Sequence, residues 1–205
     1  MTYATSSGIR EAHVVVPRRT DLDTARLSFD NGLEGLHLAG GDELDGILEG
    51  EFAAPLPVVW ASEHNVHVEY PLGARLLRRP RANTVRLARD LTWSIDVHGG
   101  GAQLTADLAD LRLQSLSFHS GLAHAHLKLG PTPCVVRLGS VKDLRIERPS
   151  GVPVRLRLAK GATKITLDDN HLGAIGNGLD PGTDGGYEVL ISGGADTITI
   201  TEGAS

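Results

Sequence analysis

Apolar and polar side chains alternate along most of this chain, in short runs broken by Gly, Pro, Asn and Asp. A period of two is that of a β-strand, whose successive side chains point to opposite faces. Ile165 and Leu167 share one face, and so do Ile198 and Ile200, each pair following a small residue, Ala162 or Ala195. Thr and Lys stand between them and suit solvent. Earlier in the chain, Ala25 to Leu38 reads as two strands around an Asn31-Gly32 turn. Ala39-Gly-Gly-Asp-Glu-Leu-Asp-Gly-Ile-Leu predicts a Gly-Gly corner and a further strand. Val58-Val-Trp, Asn65-Val-His-Val-Glu-Tyr, Thr84-Val-Arg-Leu and Trp93-Ser-Ile-Asp-Val predict four more. Thr105 to Leu116 has some helical spacing through Leu104, Leu108 and Leu111, but Leu111-Arg-Leu-Gln-Ser-Leu alternates, which favours a strand and a short turn.

The pattern also repeats. One or two small residues, an apolar residue, two variable ones and then an alternation recur five times. The copies are Gly100-Gly-Ala-Gln-Leu-Thr-Ala, Ser120-Gly-Leu-Ala-His-Ala-His-Leu, Gly139-Ser-Val-Lys-Asp-Leu-Arg-Ile, Lys160-Gly-Ala-Thr-Lys-Ile-Thr-Leu and Gly193-Gly-Ala-Asp-Thr-Ile-Thr-Ile. Aligned on Ala102, Leu122, Val141, Ala162 and Ala195, the steps are 20, 19, 21 and 33 residues. The long step contains an insertion at 169–187. A period near 20 is the length of one solenoid coil. The expected architecture is therefore an all-β, short-coil β-helix with Gly-rich corners. Its solenoid domain would span 24–203, with irregular coils at 24–92 and regular coils at 93–203. The segment 1–23 is expected to be partly disordered. A last strand so close to the end of the sequence is expected to leave an open edge, which invites self-association.

Composition supports this picture. Gly is 25 of 205 residues, and aromatic residues are only 4%. That mixture suits thin, sharply turned β-layers more than a large aromatic core. A net charge of −5 argues against a nucleic-acid partner, which selects a basic face. The one basic stretch, Leu76-Leu-Arg-Arg-Pro-Arg81, reads as a solvated loop. No apolar run is long enough to insert in a membrane, and no leader pattern is visible at Met1-Thr-Tyr-Ala. The single cysteine, Cys134, excludes an internal disulfide and reads as a buried structural thiol in a reducing, cytoplasmic setting.

The ordered run Trp93-Ser-Ile-Asp-Val-His-Gly-Gly-Gly-Ala-Gln-Leu-Thr-Ala-Asp-Leu, then Leu111-Arg-Leu-Gln-Ser-Leu, resembles the actinobacterial toast-rack, or putative-adhesin-like, β-repeat family. So do Arg148-Pro-Ser-Gly-Val-Pro-Val-Arg-Leu-Arg-Leu and Tyr187-Glu-Val-Leu-Ile-Ser-Gly-Gly-Ala. The likeness runs from about Thr24 to Thr201. It implies a short-runged β-helix and a sensor, adaptor or scaffold role in a cell-envelope or stress-response context. It implies no catalytic residues.

The candidate chemistry is sparse. His124 and His126, two apart on a strand, face the same way, with Ala125 and Leu127 turned to the core. With His98 and His119 they put four imidazoles on the expected wall. Such a set could hold zinc, yet no Cys or carboxylate completes a ligand spacing, and an exposed polar face is the simpler reading. His64 and His67 are three apart and point to opposite faces. The insertion, with Asp180 and Asp184, lacks the regular ligand spacing of a calcium loop and reads as a contact loop. No Gly-x-Ser-x-Gly elbow accompanies the Ser, His and Asp residues. The expectation is a non-catalytic binding or scaffold protein without cofactor. It would contact a protein partner or a second copy of itself through His124, His126, Asp180 and Asp184. A self-assembling structural β-helix and an enzyme acting on glycans or small molecules are the alternatives.

Overall fold

A computed structural model describes residues 2–3, 8–19, 21–71, 83–176 and 185–203. The described chain is all-β. Its first strands are β1 (Thr2–Tyr3), β2 (His13–Val16), β3 (Thr24–Phe29), β4 (Leu33–Gly41), β5 (Leu48–Glu51), β6 (Val58–Ser62), β7 (Asn65–Glu69) and β8 (Asn83–Ala88). Then come β9 (Thr92–Val97), β10 (Gly101–Leu108), β11 (Arg112–Leu129), β12 (Val135–Arg148), β13 (Val154–Leu158), β14 (Ala162–Leu167), β15 (Asn170–Ile175), β16 (Tyr187–Ile191) and β17 (Ala195–Glu202). The segment Thr105 to Leu116 is strand, turn and strand, as its alternation predicts.

The pairings form two ladders that share one core. The first ladder runs β1-β2-β5-β8-β4-β10, then the second half of β11, the second half of β12, β17, β14 and β15. The second runs β6-β7-β3-β9, then the first halves of β11 and β12, β16 and β13. The chain passes from one ladder to the other within each rung. β11 and β12 do so without a break, through a register shift between Phe118 and Gly121. The sheet does not close on itself.

Alternation explains the rungs. Leu104, Ala106, Leu127, Leu144, Ile146, Ile165, Ile198 and Ile200 of the first ladder are buried against Leu27, Phe29, Trp93, Ile95, Leu116, Val136, Val189 and Leu156 of the second. Each fully buried aliphatic side chain contributes about 1.5–3 kcal/mol relative to exposure, so one face of every strand is fixed. Trp93 buries its ring and donates its indole N–H to the Ala88 carbonyl at 2.9 Å. At the turn between β3 and β4, Gly32 has φ 77°, in the left-handed region that a side chain resists. At the corners, a Cβ on Gly139 would lie 2.7 Å from the Ser120 carbonyl oxygen, so the rungs approach too closely there for any other residue.

The spatial order of the rungs departs from the chain order at both ends. β3 and β4 sit between β7 and β8 on one side and β9 and β10 on the other. The rung 187–202 sits between 135–148 and 154–167. The expected open edge at the last strand is therefore corrected. β17 is internal, with parallel partners β12 and β14 on its two sides. The neighbouring edge belongs to β14, and the antiparallel strand β15 covers it. That strand lies inside the insertion expected to be a turn-rich loop. Antiparallel pairs also occur near the other end, at β6–β7, β2–β5 and β5–β8, with the two-residue β1 parallel to β2 beyond them. Such pairs use up backbone donors and acceptors that a bare parallel edge would expose. Within 1–23, His13–Val16 is a strand with Val14, Val15 and Val16 buried.

Candidate binding surfaces

Three side-chain constellations stand on the outside of the ladders. The first is the histidine wall. His124 and His126 project from the first ladder and are exposed, as the alternation requires. Each meets an acid of the adjacent strand. His124 Nδ1 is 3.7 Å from Asp143 Oδ2, and His126 Nε2 is 3.0 Å from Glu147 Oε1. Arg145 also reaches Glu147, at 3.3 Å. The backbone register places His37, Thr105, His126, Arg145, Thr199 and Thr166 in one row across six strands. None of the six is buried.

His98 and His119 lie elsewhere, at the corner of two successive rungs. Their rings stack at 4.7 Å with an interplanar angle of 4°. His119 Nε2 is 3.7 Å from Asp96 Oδ1, and Arg26 is 3.4 Å from the other oxygen of the same carboxylate. The four imidazoles are thus divided between two places. Among the described residues no three His, Cys, Asp or Glu groups are arranged to hold a metal ion. Asp180 and Asp184, and the basic stretch 76–81, lie outside the described residues.

A second constellation joins Ser28, Asp30 and His67. Ser28 Oγ donates to Asp30 Oδ1 at 2.6 Å, and His67 Nδ1 is 3.0 Å from Asp30 Oδ2. The His67 ring stacks on Trp60 at 3.8 Å. The three residue types of a nucleophilic triad are present, but the hydroxyl is bonded to the carboxylate rather than to the imidazole. The imidazole is therefore not placed to take the hydroxyl proton, as a triad requires. His64, three residues earlier, is exposed in the β6–β7 turn. Cys134 is buried, and burial pushes its thiol pKa up to about 12. A thiol so desolvated stays protonated at neutral pH and is no nucleophile.

The third constellation is a groove on the second ladder where its strands turn toward the first. Its volume is about 580 Å³. Its floor is a row set by the register: Ser117, Arg137, Leu190 and Arg157, on β11, β12, β16 and β13. Adjacent strands lie about 4.8 Å apart, so the row spans about 14 Å. His119 stands beside it, and Phe118, Leu138, Leu158 and Ile191, whose side chains are buried in the core, border it. Arg157 is engaged with Glu188 at 2.8 Å. Arg137 is exposed and has no hydrogen-bond or ion-pair partner among the described residues. Ser117 is 6% exposed and its hydroxyl is likewise without a partner there.

Sequence reasoning did not find this groove. One trace of it was visible. Leu190 is an apolar residue between two core positions, Val189 and Ile191, and so breaks the alternation. Ser117, Arg137 and Arg157 carry no such mark, because they become neighbours of Leu190 only through a rung order that differs from the chain order.

No protein-family model and no curated protein matches the chain. Among solved structures, the fold is similar to that of a protein described as a putative cell adhesion protein from Clostridium sporogenes. The TM-score is 0.62 at 15% identity, over 96% of this chain and all of that one. A putative adhesin from Bacteroides fragilis aligns over 98% of this chain with a TM-score of 0.34 and 9% identity. The first likeness is one of fold, and the second is too distant to carry an argument.

Proposed function

We propose that the protein is a non-catalytic binding or scaffold protein of the adhesin-like, toast-rack kind, acting as an adaptor or sensor in a cell-envelope or stress-response context. The outer wall of the first ladder is its contact face. One observation carries this reading: six successive strands present polar side chains in register, from His37 to Thr166, none of them buried. A wall held by backbone ladders keeps these groups fixed before a partner arrives, which lowers the entropic cost of binding. The fold shared with a protein named for cell adhesion supports the same reading. So does the architecture we infer, one short stack of β-helical coils over 24–203, because such stacks offer extended and rigid surfaces.

The test is cross-linked capture from the cells that make the protein, with the wild type, a variant carrying His124→Glu, His126→Glu and Arg145→Glu, and an Arg26→Glu control on the other ladder. The wall variant is expected to lose the partner while the control keeps it. Equal capture by all three would remove the wall as the contact face. Light scattering over a concentration series separates a discrete complex from end-to-end polymers of the chain itself.

A further inference from the structure

We propose that the groove on the second ladder is a binding site for a small organic monoanion, a carboxylate carried on an apolar body. The proposal stands independently of the contact face on the first ladder. It rests on two polar groups, Ser117 and Arg137, that have no partner among the described residues and stand side by side in one groove.

Ser117 occupies an outward position between the core residues Leu116 and Phe118, yet it is 6% exposed. The residue as a whole is covered, but its hydroxyl oxygen is not one of the buried atoms that lack a partner, so it opens on solvent in the groove. Ser117 has no partner among the described residues, and it lines the groove. Arg137 is directly opposite it on the next strand, with Cα positions paired in the parallel register. The other cations of this face are occupied. Arg157 holds Glu188 at 2.8 Å, and Arg26 holds Asp96 at 3.4 Å. Among the described residues lining the groove, Arg137 alone brings an uncommitted charge. Its guanidinium offers parallel N–H donors that match the two oxygens of a carboxylate, and the Ser117 hydroxyl can supply one more donor.

Charge counting selects the head group. Glu188 and Asp96 balance Arg157 and Arg26, so the groove presents a single free positive charge. That suits a carboxylate better than a phosphate dianion, which would leave one negative charge uncompensated in a partly apolar site. The rest of the lining selects the body. Leu190 lies between Arg137 and Arg157 in the row and gives this face its apolar side chain, while Phe118, Leu138, Leu158 and Ile191 border the groove with their side chains in the core. A concave, mainly apolar site with a few convergent polar groups is the usual form of a small-molecule pocket, and a volume of about 580 Å³ falls in its range. The head would sit at the Ser117–Arg137 end and the apolar body along Leu190.

Calorimetric titration of the full chain tests the assignment. The probes are hexanoate and phenylacetate, their neutral amides, and phenyl phosphate. Saturable binding of the carboxylates is expected, with the amides about tenfold weaker or worse. Arg137→Gln should weaken the carboxylates to the level of the amides, and Arg137→Lys should restore only part of the loss, because the ammonium keeps the charge but not the fork. Ser117→Ala should cost about threefold to tenfold. Lys142→Gln, at an exposed cation of the first ladder, should change nothing. Thermal melts of each variant without ligand show that it is folded. The assignment is overturned if neither carboxylate saturates, if acid and amide bind alike, or if Arg137→Gln and Lys142→Gln behave the same. Tighter binding of phenyl phosphate would overturn the choice of a monoanion.

Discussion

The middle of the two ladders and their C-terminal end are built from the same kind of strand but held together differently. In the middle, the rungs 92–108, 112–129 and 135–148 follow one another in chain order, and their columns are apolar. Leu108 and Leu129 are paired in register and fully buried. The next residue in that column is Arg148, 7% exposed, and its partner beyond is Glu202. Arg148 donates to Glu202 Oε1, Asp168 Oδ2 and the Val152 carbonyl, each at 2.8 Å. One guanidinium thus ties the ends of β12, β17 and β14, the three strands whose stacking order departs from the sequence. Hydrophobic burial is tolerant of which rung follows which, since any apolar column fits the next. An ion pair with hydrogen bonds needs named partners at fixed positions, so it can specify order where burial cannot.

The largest expected effect tests whether the two regions are equally interior. Ile198→Ala on β17 and Leu144→Ala on β12 should each destabilise the chain by about 2–5 kcal/mol in urea titrations. A clearly smaller loss for Ile198→Ala would mean that β17 is an edge strand, as chain order predicts, and the contrast between regions would fall. Next comes the tie itself. Arg148→Ala should cost about 2–3 kcal/mol, less than breaking a fully buried pair because Asp168 and Glu202 are part exposed. The loss should appear as faster hydrogen exchange in β13, β14 and β17, with β9 to β11 unchanged.

The smallest effect is a dependence on acid. The Ser150 hydroxyl first, then the Gly151 N–H and Arg148, hold the Glu202 carboxyl below its ordinary value of 4.5. A carboxyl depressed in the folded state stabilises it above the unfolded pKa, and that contribution is lost as pH falls through the folded value. Stability of the wild type should therefore drop more steeply than that of Glu202→Gln between about pH 5 and pH 3. Parallel curves for the two proteins would show that the tie does not depend on the charge of Glu202.

Several features were legible in the sequence for local reasons. The strands at 24–29, 92–97 and 195–202 follow from alternation, and the Asn31-Gly32 turn from a residue that accepts a positive φ. The outward aim of His124 and His126 follows from their spacing of two. The repeat copies mark where the chain enters the first ladder: β10, β14 and β17 begin there, while Leu122 and Val141 lie inside the continuous β11 and β12. What the spacing does not carry is adjacency. Ala162 and Ala195 were aligned as the fourth and fifth copies of one series, yet Ala195 stands between Val141 and Ala162 in space. His98 and His119 were grouped with His124 and His126, but the corner at Gly121 turns the chain between them.

The sequence by itself determined which residues are strand, which face of each strand is buried, and where the chain must turn. These are properties of neighbours along the backbone, set by side-chain period and by allowed φ. The tertiary structure alone decided which rung lies beside which, how the last strand gains partners on both sides, and how Ser117, Arg137, Leu190 and Arg157 come to form one row. Parallel strands carry almost interchangeable backbone donors and acceptors. The choice among their possible orders is made by contacts between residues far apart in the chain, such as Arg148 with Glu202, and a linear reading has no view of those.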